Sequence, residues 1–157
     1  MRYWFDTEFI EDGKTIDLLS IGIVAEDGST FYMENSDADL SRGNDWVQHN
    51  VIAHLNWLDH GAPRDKLREA VLAFISAKDG KPEFWAYYAD YDWVALCQLF
   101  GTMMDLPKGW PMLAYDFRQW LDMNGKQNIR QPECSDSHHA LADARWLASA
   151  FLEHGPK

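Results

Sequence analysis

Cations are scarce in this chain: 14 Lys and Arg stand against 25 Asp and Glu, a formal net charge of −11. Such a balance argues against an extended electrostatic grip on long nucleic acid. It still allows a site where metal ions meet a phosphate, with a short end or a small substrate as the target. Cysteine is almost absent. Cys97 and Cys134 lie far apart, match no zinc or redox spacing, and are expected to stay reduced in a cytoplasm. Long apolar runs are missing too: the best candidates, residues 18–25 and 70–77, have the lengths of a strand and a helix core, not of a membrane span. No secretory leader is expected, because the first strand begins almost at Met1. Internal repeats and low-complexity segments are likewise lacking.

What is present suits one globular domain over residues 1–157, with 46% hydrophobic residues and eight Trp to fill a core. The chain is organised around Tyr3-Trp4-Phe5-Asp6-Thr7-Glu8-Phe9. Aromatic residues on both sides of an acid-x-acid core read as a buried central strand. Side chains two apart in a strand point the same way, so Asp6 and Glu8 project together and Thr7 points opposite. Two carboxylates side by side in an apolar setting repel each other and lose hydration unless something positive lies between them. Divalent cations are the usual answer, and Mg²⁺ or Mn²⁺ suits all-oxygen ligands. The competing reading leaves one carboxylate in solvent at the strand end.

Further strands are expected at 17–25 and 30–34, joined by the hairpin signal Glu26-Asp27-Gly28-Ser29. Ser41 or Asn44 can cap a short helix from about Asp45. Pro63 opens a helix over 63–78 whose Leu67, Val71, Phe74 and Ile75 share one face. A fourth strand, 83–89, runs into Asp90-Tyr91-Asp92 at the start of a helix ending before Gly101. A fifth strand at 112–115 and a helix at 116–123 precede a long loop, 125–137, and a last helix over about 139–153. A three-stranded meander followed by strand-helix-strand-helix predicts an α/β fold: a mixed five-stranded sheet flanked by helices. Chemistry in such sheets collects at the carboxyl ends of the parallel strands, which is where Asp6, Glu8 and Asp92 should lie.

Each remaining acid admits two readings. Asp92 is either a helix N-cap or a member of the acidic site, with Asp90 as its rival. Asp143 shares a helical row with Ala140, Leu147 and Ala150, which should face the sheet; otherwise it lies at the exposed edge of that stripe. His138 falls about 140° around the helix from Asp143 and so belongs at its entrance, where Asp136 or Ser137 can cap.

Taken together, Phe5-Asp6-Thr7-Glu8, Tyr91-Asp92 after a strand, and His138-His139-Ala140-Leu141-Ala142-Asp143 resemble the three motifs of the DEDDh 3′-5′ exonucleases, a superfamily with a ribonuclease H-like fold. The opening DTEFIEDG…LLSIGIVAEDG and the segment YDWVALCQLFG are similar to a small actinobacterial-type exoribonuclease branch that acts on RNA and forms dimers. The resemblance implies that Asp6, Glu8, Asp92 and Asp143 hold two Mg²⁺ or Mn²⁺ ions, with all four acids catalytic, and that His138 rather than His139 is the general base. It implies nucleoside 5′-monophosphates released from the 3′ end, single-stranded nucleic acid as partner with RNA favoured over DNA, no membrane, and a homodimer. Phe9-Ile10 and Tyr88 depart from the usual motif residues. Phe9, Trp46 and Tyr88 are candidates for stacking on bases, or are core aromatics. Arg118, Lys126 and Arg130 can touch phosphate, or form a solvated loop face. The alternatives are a DNA 3′-5′ exonuclease and a catalytically silent interaction domain of the same fold.

Overall fold

A computed structural model describes residues 1–131 and 138–156. Its centre is a sheet of six strands in the order β4-β3-β2-β1-β5-β6. Strands β1 (Arg2–Glu11), β2 (Ile16–Ala25) and β3 (Thr30–Asn35) form the antiparallel meander. β5 (Glu83–Ala86) then runs parallel to β1, and β6 (Tyr115–Asp116) parallel to β5. The sixth strand corrects the expected count of five. Residues Gly61–Ala62 form β4, parallel to Glu34 and Asn35, and two residues are too short to leave a periodic signal. β6 also lies later than the 112–115 expected for the fifth strand.

The alternation of β1 sorts the helices onto two faces. Tyr3 and Phe5 join Ile21, Ile23 and Phe84 under α3 (Arg64–Ser76) and α4 (Ala89–Phe100), which contribute Leu67, Val71, Ile75, Leu96 and Leu99. On the opposite face, Trp4, Val24 and Trp85 pack against α5 (Phe117–Met123) and α6 (Ala140–His154) through Phe117, Leu121, Leu147 and Phe151. Burying such large side chains stabilises the fold by roughly 1.5–3 kcal/mol each relative to exposure. A smaller apolar cluster of Ile10, Leu19, Val47 and Val51 seats α1 (Asp45–Asn50) at the end of the sheet. Asn44 caps that helix, its side chain accepting from the Val47 N–H at 2.9 Å. A four-residue helix, α2 (Trp57–His60), leads into β4. Among the described residues no helix is long and apolar enough to cross a membrane.

Candidate active site

The parallel pairing of β1 with β5 stops at Trp4–Trp85, whereas its pairing with β2 continues to Glu11. Beyond Trp4, therefore, one edge of a central strand opens into a crevice, and Asp6 and Glu8 stand there. They lie within the strand and past the end of β5, not at the strand's own terminus as the sequence had suggested. A β-bulge follows immediately, between Glu8 and Phe9, a device that commonly re-aims side chains beside active sites.

Thr7 points to the opposite face and meets α4. Its backbone N–H donates to Asp92 Oδ1 at 2.8 Å, and its hydroxyl donates to the same oxygen at 2.6 Å. Asp92 is thus held by the strand that carries the other two acids. It is not an N-cap: it sits inside the first turn of α4, and the cap position is Tyr88. Asp90 is exposed and lines a different cavity. Tyr88 has φ 62 and ψ 56, the left-handed region that a bulky side chain seldom occupies. Tyr88 is 60% exposed and lines both cavities.

Asp143 arrives from the other face. Ala140, Asp143, Leu147 and Ala150 are all buried against the sheet. What brings the start of α6 so close is Gly22, which pairs with Asp6 across β1 and β2. A Cβ on Gly22 would lie 2.3 Å from the Leu141 nitrogen and 2.4 Å from the Ala140 carbonyl oxygen. A glycine inside a strand often marks such a close backbone approach, so the sequence did hold a signal for it. Asp143 Oδ2 accepts from the His138 backbone N–H at 3.1 Å. His138 has φ 66, is exposed, and meets the Trp46 ring edge-on at 4.7 Å. His139 occupies the N-cap position of α6 without capping through its side chain, and its ring stacks on Tyr32 at 4.4 Å. The expected caps, Asp136 and Ser137, lie outside the described residues, as do Cys134 and the end of the 125–137 loop.

Asp6, Glu8 and Asp143 each offer an oxygen within 4.8 Å of the others. With Asp92 and His138 they line a cleft of ≈650 Å³, together with Phe9, Trp46 and Tyr88. Burial, and then the neighbouring charges of Asp92, Glu8 and Asp143, hold the Asp6 carboxyl well above the ordinary range. Glu8 is pushed up to about 8, first by burial and then by Asp143 and Asp92. Asp92 rises to about 7 by burial, against the two Thr7 hydrogen bonds that favour its charged form. Asp143 is raised by burial and relieved in part by the His138 N–H. Such a cluster of carboxyls is adverse to folding in its charged form and fits a divalent cation, whose positive charge reverses each of these shifts.

Not every candidate reaches the cleft. Arg118 is 3% exposed, donates to the Ile129 carbonyl at 2.8 Å and pairs with Asp122. Lys126 donates to the His154 carbonyl at 2.6 Å, and Arg130 is exposed without lining the cleft. Phe9 is stacked on Tyr91 at 5.7 Å, and Trp46 is 53% exposed, so both aromatics face the cleft and are not core.

A central mixed sheet, helices on both faces and an acidic crevice past the end of a parallel strand define a ribonuclease H-like protein. The structure of S. pombe Pop2p, solved in a Mg²⁺- and Mn²⁺-bound form, has a similar fold: TM-score 0.60 at 12% identity, over 98% of this chain and 83% of that one. Residues 1–154 match the model of the Rv2179c-like 3′-5′ exoribonuclease domain, and the chain belongs to that family. It is 41% identical over 151 residues to the 3′-5′ exoribonuclease Rv2179c of Mycobacterium tuberculosis (strain ATCC 25618 / H37Rv), covering 92% of this chain and 88% of that protein. The same figures hold for the 3′-5′ exoribonuclease MT2234.1 of strain CDC 1551 / Oshkosh.

Proposed function

We propose that the chain is a divalent-metal-dependent 3′-5′ exoribonuclease acting on single-stranded or short RNA as one domain, residues 1–157, with a histidine general base. The observation that carries this is the convergence of Asp6, Glu8 and Asp143 within 4.8 Å in a cleft that His138 borders. Family membership supports the RNA and the polarity of attack. The Mg²⁺ and Mn²⁺ of the similarly folded Pop2p structure support the metal.

Asp6, Glu8, Asp92 and Asp143 would hold two Mg²⁺ or Mn²⁺ ions. With Oδ1 committed to Thr7, Asp92 has its second oxygen to offer. When bound, such ions supply positive charge to the phosphate oxygens and make a water more acidic. The protein's own share is orientation and proton transfer. An imidazole nitrogen of His138 takes a proton from the attacking water, whose oxygen forms a bond to phosphorus as the bond to the departing 3′-oxygen breaks. That 3′-oxygen takes up a proton and becomes the new chain end, and a nucleoside 5′-monophosphate leaves. Trp46, Tyr88 and Phe9 offer faces for the terminal bases. Residence in the cytoplasm and a homodimer belong to the same proposal and rest on the resemblance.

The test is a set of end-labelled RNA and DNA oligomers incubated with Mn²⁺, Mg²⁺ or EDTA. Stepwise loss of 5′-monophosphates from the 3′ end of RNA, abolished by EDTA, is expected. Cleavage of circular RNA, product ending in a 3′-phosphate, or activity confined to DNA would overturn the proposal. No hydrolysis under any condition would favour a silent binding domain.

A further inference from the structure

His138 precedes the N-cap position of α6, with φ 66, and its backbone N–H donates to Asp143 Oδ2 at 3.1 Å. That bond places the backbone but does not set the two side-chain torsions that aim the imidazole. A general base has to lie within hydrogen-bond reach of the proton it takes, so the angle of the ring matters as much as the place of its backbone. A contact with the ring itself comes from a different element. Trp46 of α1 meets it with ring centroids 4.7 Å apart and planes at 82°. Aromatic pairs favour this edge-to-face arrangement at separations of roughly 4.5–7 Å.

The helix behind Trp46 is short but well rooted. Val47 and Val51 are buried in one cluster with Ile10 of β1, the strand that also bears Asp6 and Glu8. Asn44 closes the first turn by accepting from the Val47 N–H, and Gln48 Nε2 donates to the Leu40 carbonyl at 2.6 Å. One residue along a helix is a turn of about 100°, so with Val47 facing the cluster Trp46 is directed elsewhere. It emerges half-exposed on the wall of the cleft that His138 borders. A continuous path of packing thus leads from the acid-bearing strand through α1 to the imidazole.

Resting on the exoribonuclease reading with His138 as base, we propose that Trp46 is a positioning residue for that histidine. Its indole braces the imidazole and so fixes the ring relative to the carboxylates on β1. The role acts through His138 on the rate of the chemical step. Any face that Trp46 also presents to a nucleobase acts on binding, and the two contributions separate in kcat and KM.

A double-mutant cycle tests it. The experiment measures kcat and KM with Mn²⁺ on a 5′-labelled RNA for wild type, Trp46→Leu, His138→Ala and the double variant. A catalytic group misplaced by about 1 Å can lose about 10²-fold in rate, and a ring that loses one brace should lose about tenfold in kcat. In the His138→Ala background the same substitution should cost about twofold or less, because the group it positions is gone. Trp46→Phe, which keeps an aromatic ring beside His138, should recover kcat to within about threefold of wild type. The kcat loss of Trp46→Leu should persist on an RNA whose 3′-terminal nucleotide lacks its base, where stacking has nothing to act on. The Mn²⁺-induced rise in melting temperature should match wild type, since the carboxylates are untouched. Equal losses in the two backgrounds, or an effect confined to KM that disappears with the abasic end, would overturn the positioning role and leave a working exoribonuclease. Absence of hydrolysis by the wild type would instead overturn the exoribonuclease reading, and this inference with it.

Discussion

Two helix entrances each deliver an aspartate to the cleft, and they do so by different physics. At α4, Asp92 is fixed by two hydrogen bonds from Thr7, on the strand that bears Asp6 and Glu8. The carboxylate and its donors move as one body with the centre of the sheet. At α6, Asp143 accepts the backbone N–H of His138 and a hydrogen bond from the Gln131 side chain, and it reaches the cleft only because the helix lies flat over Gly22. One acid is held by the strand beneath it, and the other takes its place from a close approach of helix to strand. The polar anchor can be weakened without moving a helix, but the steric one cannot be altered without moving α6 and the histidine before it. The α6 entrance should therefore be the more fragile of the two.

Substitutions at that entrance are expected to give the largest effects. His138→Ala should lower turnover by about 10²–10⁴-fold, the usual contribution of a general base. The rise in melting temperature on adding Mn²⁺ should stay near wild type, because the four carboxylates remain. His139→Ala, whose ring stacks on Tyr32 away from the cleft, should cost only a few-fold in the same assay. Equal losses at the two positions would reverse the assignment of the base. Gly22→Ala comes next. With backbone atoms of Leu141 and Ala140 at 2.3 and 2.4 Å from the new methyl, α6 must lift from the sheet. Overpacking of this kind costs about 1–3 kcal/mol of stability. A displacement of about 1 Å in a catalytic group can cost about 10²-fold in rate. Thermal melts with and without Mn²⁺ distinguish the two contributions: the folded variant should show a smaller Mn²⁺-induced shift than His138→Ala. A Gly22→Ala protein with wild-type turnover would show that the close approach does not matter.

The sequence made local geometry readable and left contacts between distant elements hidden. That Asp6 and Glu8 share a face while Thr7 opposes them follows from the two-residue repeat of any strand. That Asp143 lies in the row of Ala140, Leu147 and Ala150 follows from the helical repeat in the same way. The spacing of His138 likewise placed it before the helix and not on it. By contrast, Thr7 as the partner of Asp92, and Gly22 as the seat of α6, are pairings of elements far apart in the chain. Nothing local to Thr7 names its partner, and a glycine inside a strand signals at Gly22 that some backbone comes close without saying which. The two-residue strand Gly61–Ala62 exists only because β3 offers it an edge. Arg118 read as a loop-facing cation, whereas the fold buries it beneath Tyr87 and Ile129. A solvated surface and a satisfied interior look alike for a single arginine in sequence.

The α4 entrance should yield a smaller loss. Thr7→Val removes the hydroxyl that donates to Asp92 and keeps the backbone N–H donor. Losing one partner of a buried acceptor costs about 1–3 kcal/mol when the group is left unsatisfied, but here a second donor remains, so the lower end applies. Turnover should fall by about tenfold, the equivalent of about 1.4 kcal/mol in the barrier. The effect should be well below that of Gly22→Ala. A loss at Thr7→Val exceeding that at Gly22→Ala would invert the contrast between the two entrances.

The smallest expected effect is on stability, and it treats both entrances together. Free carboxyls titrate near about 4 in an unfolded chain, whereas burial and mutual repulsion push Glu8 up to about 8 and Asp92 to about 7. A carboxyl raised by folding keeps its proton longer in the folded state than in the unfolded one. Stability therefore falls as pH rises through that window, because the folded protein must give up protons into a crowded, desolvated cluster. In EDTA the wild type should lose melting temperature from about pH 5 to about pH 8 by a few degrees. Asp6→Asn removes one of the repelling charges, so its melting temperature should overtake the wild type as pH rises, with the gap widening toward pH 8. Both proteins carry every other ionisable group, so the comparison at matched pH isolates the charge at position 6. Adding Mn²⁺ should reverse the order, stabilising the wild type more than the variant by binding the folded state. If Asp6→Asn instead melts below the wild type in EDTA at pH 8, Asp6 is a structural partner in the fold and the carboxylates are not waiting for a cation.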